Sequence, residues 1–284
     1  MRYRIRVAAV LLATAGGVLL LLFLWPRSTG QPIVYGDASH CGDATCHGWS
    51  LHLASGEVYP LPYAAQEPGI AISDDGHRVV YLDLADRRVM ARDLRDGTVR
   101  PLSPELTADQ AVNIGGFVFS HDGGLVAYSA QPDSRIMDFG TGKVRTIAGI
   151  CQVFGLSKDL IWGVPRCRPG SGENRRVVAI RADGSGFLVP GLDDEEAFPS
   201  PDGRRLLLVD IGYYEAVDAV TGKRLARVKR SGCERVERWL NDREVLCERS
   251  NGYQAIDIAR ATSRTVTGAP ASWGTGFVLG RVEW

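Results

Sequence analysis

The sequence has no surplus of either charge. Lys+Arg and Asp+Glu number 33 each, for a formal net charge of +0, and no long run of like charge occurs. A nucleic-acid binder ordinarily shows a basic excess, so no nucleic acid is expected among the partners. Low-complexity segments are missing as well, so no stretch reads as a long flexible linker. Histidine is scarce, at 5 residues, and all of them precede Asp122. The Gly-x-Ser-x-Gly elbow that presents the serine of an α/β-hydrolase does not occur. With no catalytic constellation in view, the chain reads as a non-enzyme.

The N-terminus carries a distinct signal. Arg2, Arg4 and Arg6 precede an uncharged run of 19 residues from Val7 to Trp25. As a helix this run is about 28 Å long, close to the thickness of a bilayer's hydrocarbon core. Flanking arginines stay in the cytoplasm, which sends the rest of the chain outside. The expected division is a cytoplasmic tail over residues 1–6, a signal anchor over 7–25, a linker over 26–32 and one domain over 33–284. The rival is a cleaved signal peptide, whose apolar region is ordinarily shorter and ends at a small-x-small site. Here Trp25-Pro26-Arg27 follows the run, and no lipobox-like cysteine sits near its end. The expected location is therefore the cell membrane, single-pass, with the folded part on the extracytoplasmic side.

That folded part, of about 250 residues, is within the size of one all-β domain. Its 33 glycines suit a fold with many tight turns. A repeat organises it. A short apolar strand ends in a Ser-x-Asp-Gly turn, and a β-rich strand follows. The clear copies are Ser73-Asp-Asp75-Gly76, Ser120-His-Asp122-Gly123 and Ser200-Pro-Asp202-Gly203, with degenerate ones at Ser157-Lys-Asp159 and Leu240-Asn-Asp242. The intervals are 47, 37, 43 and 40 residues, a period that suits a four-stranded propeller blade. Ser and Asp accept from turn amides, and Gly takes the positive φ that closes the turn. These residues read as structural, since they recur with every blade whereas a catalytic group is needed once. A third strand ends in a second Gly turn at Gly97, Gly142, Gly184 and Gly222, a glycine lost near Ala259 to Thr262.

The two ends of the chain supply one more unit. Gly276-Phe-Val-Leu-Gly280 aligns with Gly116-Phe-Val-Phe-Ser120 as a first strand with nothing after it. Ile33–Tyr35, Trp49–Leu53 and Val58–Leu61 read as second, third and fourth strands without a first. Joined, they make about six blades and leave no long free sheet edge. The repeat resembles that of the TolB-type, WD-like propellers, whose hallmark is a Ser-Pro-Asp-Gly turn. The resemblance spans roughly Ile33 to Trp284 and is most specific at Ser200-Pro201-Asp202-Gly203. It implies an all-β propeller that serves as a platform for an unidentified protein or small-molecule partner. An enzyme of the lyase or cyclotransferase kind, working in the central funnel, is the runner-up.

Six cysteines, Cys41, Cys46, Cys151, Cys167, Cys233 and Cys247, agree with an oxidising compartment and three disulfides. Six permit 15 pairings, and the repeat selects among them. Cys151 and Cys167 bracket the fourth repeat turn as Cys233 and Cys247 bracket the last. Each pair places one cysteine at the entry to a first strand and its mate near the end of the second. Cys151–Cys167, Cys233–Cys247 and, by remainder, Cys41–Cys46 follow, all on one rim. The segment His40-Cys41-Gly-Asp-Ala-Thr-Cys46-His47 has two rival readings. One is a variant c-type haem site, whose usual form is Cys-x-x-Cys-His. The other is a zinc site of Cys and His ligands. A disulfide loop is the expectation, with no cofactor. Four carboxylates, Asp193, Asp194, Glu195 and Glu196, form a candidate partner-binding loop, and Arg166, Arg168, Arg175 and Arg176 flank the longest hairpin loop.

Overall fold

A computed structural model describes residues 30–38, 48–130, 132–157, 159–165, 176–181, 185–193, 196–210, 212–230, 233–250, 252–267 and 277–279. Among these residues there are six four-stranded antiparallel sheets and one short helix, Ala108–Val112. Five of the sheets are built in chain order from consecutive strands. The remaining one is composite, because Phe277–Leu279 from the far end pairs with Ile33–Asp37 from the beginning. The first strands of successive sheets contact one another in sequence around a common axis. The fold is a six-bladed β-propeller. The composite sheet is called blade one, and the others follow in chain order.

Burial explains the sequence pattern. Second strands such as Arg78–Asp83 and Arg205–Asp210 are sandwiched between neighbouring blades, so their interiors are apolar on both faces. Fourth strands such as Val144–Ile147 lie at the rim and are largely exposed. The core is accordingly divided among the seams between blades rather than gathered in one centre. Trp49, Leu51, Ile70 and Val79 fill the first seam, and Trp162, Ala197 and Leu206 fill the one between blades four and five.

The turns join blades to each other. In the three clear copies Ser73, Ser120 and Ser200 each donate to the Asp two residues on, at 2.6 Å. Each serine Oγ also accepts the amide of the fifth residue on, at 2.8 to 3.0 Å. The Asp in turn accepts the next amide but one. Gly76, Gly123 and Gly203 take φ of 71, 65 and 69°. The degenerate copies keep the function with other atoms. Ser157 bonds Leu160 across a turn shorter by two residues, and Asn241 Oδ1 accepts from Arg243 and Glu244 in place of a serine. The arginine after two of the turns reaches over the seam: Arg78 donates to the Gly123 carbonyl and Arg205 to that of Asp242.

The second Gly turns, at the ends of the third strands, are held by an aspartate that the repeat reading did not single out. Asp93, Asp138, Asp218 and Asp257 each accept backbone amides of the turn that follows. In three of these turns the closing residue is glycine at φ of 75, 70 and 68°, but in blade six it is Ala261 at φ 55°. A non-glycine residue in this region costs roughly 1–2 kcal/mol, and glycine loses more chain entropy by about 0.5–1 kcal/mol. Ala261→Gly is therefore expected to stabilise the protein by about 0.5–1 kcal/mol, read as a higher urea midpoint. A lower midpoint would contradict the turn geometry.

Cys233 and Cys247 form a disulfide with Cα atoms 5.6 Å apart, joining the entry of the first strand of blade six to its second strand. Cys151 is disulfide-bonded too, and its Sγ lies 3.3 Å from the Val164 carbonyl oxygen near the end of the next strand. Cys41, Cys46 and Cys167 lie outside the described residues, as do His40, His47, Asp194 and Glu195. The expected acidic loop is shorter than the sequence suggests. Asp193 ends one strand and Glu196 begins the next, because the fourth strand of blade four runs on to Asp193, where its backbone lies opposite Arg176. Among the described residues no helix is long and apolar enough to cross a membrane, and the expected span over 7–25 lies outside them.

Candidate functional site at the turn face of the channel

In blades two to six the first strand runs toward the Ser-x-Asp-Gly turn or its degenerate equivalent, so those turns lie around one mouth of the central channel. A cavity of about 320 Å³ opens there, lined from blades two to six. Its wall is rich in aromatic side chains: Phe117 and Phe119 from blade three, Phe154 from blade four, Phe198 from blade five and Trp239 from blade six. Trp239 is fixed by its Nε1, which donates to the Phe198 carbonyl at 2.8 Å across the seam.

Four ionisable groups join that wall: Asp74, His121, Glu237 and Arg238. Asp74 and His121 occupy the x of Ser-x-Asp-Gly in blades two and three. One Asp74 oxygen lies 2.5 Å from His121 Nδ1, and the other accepts from Arg238 Nη1 at 2.9 Å. A single carboxylate thus ties blades two, three and six together at the mouth. The hydrogen bond to Asp74 pushes His121 above the ordinary histidine value; burial and the Arg238 charge oppose it. Glu237 is pushed up chiefly by burial, with Arg235 opposing and the adjacent Glu248 carboxyl adding to it.

This coupling has a sign that can be measured. A raised His121 value means that the His121–Asp74 contact stabilises the fold fully below the unfolded histidine value, about 6.5. That contribution is lost as pH rises through the higher folded value. In an NMR titration His121 should titrate above about 6.5 in the native protein and fall back in Asp74→Asn. Equal values in the two proteins would remove the pair from the account.

The sequence-selected turn residues Ser73, Ser120 and Ser200 are buried and spend their hydroxyls on the turn. Beside them the cavity is lined by the residues at the variable x position, Asp74, His121 and Pro201, and by strand residues just upstream such as Phe117, Phe119 and Phe198. Reading the repeat for what recurs passes over these positions; reading it for what varies between blades would have found Asp74 and His121. Arg238 and Glu237 carry no such mark, because their role depends on a partner 164 residues away and on strand register. Among the described residues no group of three His, Cys, Asp or Glu is placed to hold a metal ion.

Comparison with known proteins gives the fold and stops there. No family model and no curated protein matches the sequence. Among solved structures, TolB from Acinetobacter baumannii is 15% identical with a TM-score of 0.54, over 84% of this chain and 64% of that one. A chain of a nidogen/laminin complex is 12% identical with a TM-score of 0.51, over 83% and 94%. Kluyveromyces lactis Hsv2 is 10% identical with a TM-score of 0.51, over 74% and 67%. The likeness is one of architecture. The TolB-type resemblance read from the turns therefore holds at the level of the propeller fold.

Proposed function

We propose that this protein is a non-enzymatic binding module, displayed outside the cytoplasm on a membrane anchor formed by residues 7–25, and that its ligand enters the channel at the turn face. The observation that carries the reading is the aromatic-lined cavity of about 320 Å³. Ligand sites are typically concave and mostly apolar with a few polar groups, and that is the make-up of this wall. Its mouth charges are paired with one another, and Ser200 in the wall is occupied by its turn.

Two measurements test the parts separately. A C-terminal alkaline phosphatase fusion should be active in intact bacteria; a stable but inactive fusion would overturn the location. For the site, Phe154→Ala should abolish capture of the partner or ligand in a protein that still unfolds cooperatively, at a melting temperature lowered by the contacts Phe154 makes with the core between blades four and five. Undiminished capture would place the binding surface elsewhere.

The funnel-enzyme reading has one observation in its favour. Polar groups from three blades converge at the mouth, and Asp74 on Nδ1 of His121 is an arrangement that positions a proton-transferring imidazole. Turnover of a substrate that disappears in His121→Ala and persists in Phe154→Ala would favour it over the binding module.

A further inference from the structure

We infer that the cavity receives an organic cation: an alkylammonium or guanidinium group on an apolar stem, with its charge directed to Glu237. The inference rests on reading the cavity as the ligand site. Strand register supplies the first support. In blade six Val236 pairs with Cys247 and Arg238 with Leu246, leaving Glu237 as an extra residue in the strand. In blade four Val153 pairs with Gly163 and Gly155 with Trp162, leaving Phe154 extra in the same way. A bulge re-aims a side chain, and both bulged residues line the cavity. The first strands of blades two and five keep a regular register. Blade three also slips, between Ile114 and Phe117, and blade four slips a second time at Cys151, both outside the lining; of these four bulges, two bring an acid and a ring into the wall.

Charge supplies the second. Arg235 Nε lies 2.8 Å from Glu237 Oε1 and 3.1 Å from Glu248 Oε2, so two carboxylates share one guanidinium. At the mouth Asp74 is matched by Arg238, and Asp242 adds a further negative charge toward His121. Among the lining groups two carboxylates, Asp74 and Glu237, stand against one guanidinium, Arg238, and His121 offsets that difference only when protonated. A partly desolvated negative surplus is unfavourable, and an entering cation relieves it, whereas an anion would meet Glu237 and Asp74. The aromatic wall is the third support, because ring faces attract ammonium and guanidinium groups and apolar surface takes the stem.

Two titrations then act in one direction. Glu237, facing Arg235 and Glu248, gains its charge as pH rises. His121, facing Asp74, Arg238 and Asp242, loses its charge. Both changes tighten cation binding at higher pH. The test is an NMR titration of the folded domain with n-butylammonium, n-butylguanidinium, n-butanol and butyrate. The reporter is the Trp239 indole N–H, assigned with Trp239→Phe. The cations should shift this signal and bind at least about tenfold more tightly than butanol or butyrate, more so as pH rises. Glu237→Gln should remove that advantage and leave butanol binding unchanged. Spermidine and a capped lysine pentapeptide, run alongside, identify whether the group arrives free or on a peptide. Tighter binding of either supports the class. Equal or better binding of butanol or butyrate would overturn the cation while sparing the site. A Trp239 signal that no probe moves would overturn the site as well. The wild-type series decides the matter even if Glu237→Gln fails to fold.

Discussion

A chain ended after Ala271 is expected to lose its cooperative unfolding transition or to aggregate. The cut removes Phe277–Leu279, whose backbone pairs with Tyr35, Gly36 and Asp37 in blade one and which also contacts the first strand of blade two. Blade one then keeps only the three strands Ile33–Asp37, Trp49–Leu53 and Val58–Leu61. Two costs follow. The edge of Ile33–Asp37 presents unpaired amides and carbonyls, a template for association with another chain. The first seam is also opened, and its fit is close: a Cβ on Gly36 would approach Ile70 Cδ1 to 2.8 Å. Loss of ring closure should remove most of a total stability that for a domain is only about 5–15 kcal/mol. Circular dichroism melts and light scattering of the two proteins decide it. A truncated chain with the wild-type transition would show that the last strand is dispensable and that closure lies elsewhere.

Gly155→Ala should be among the most damaging single substitutions in the propeller. Gly155 lies in the first strand of blade four (Ile150–Leu156), and a Cβ there would stand 2.0 Å from Pro199 Cγ and 2.6 Å from its Cδ, on the first strand of blade five. Overpacking costs typically about 1–3 kcal/mol when side chains can turn aside. A proline ring has no free rotamer to adopt, so the expected loss is about 3 kcal/mol or more. Gly116 is the control: no atom lies within 4 Å of its added Cβ, and Gly116→Ala should stay within about 0.5 kcal/mol of wild type. Urea unfolding of both variants gives the comparison. Equal stabilities would mean that blades four and five are not seated against each other at Pro199. Because Gly155 and Pro199 also line the cavity, the same variant should impair binding at a temperature where it remains folded.

The architecture was legible in the chain because it is made of local events repeated. A Ser-x-Asp-Gly turn needs only its own four residues and the strand after it, and the spacing of such turns counts the blades without any long-range information. The closing blade could be read from Phe277-Val-Leu279 for the same reason, as a first strand without successors. The Cys233–Cys247 bridge followed from position within one blade. The candidate site was not legible in this way. Asp74 and Arg238 meet although 164 residues separate them, because the ring returns blade six to the neighbourhood of blade two. Glu237 and Phe154 face the cavity because a one-residue bulge shifts the register. A bulge arises from packing between strands and is not written in residue type. Local hydrogen-bond chemistry therefore determined the fold, and only the closed ring decided which side chains share the channel.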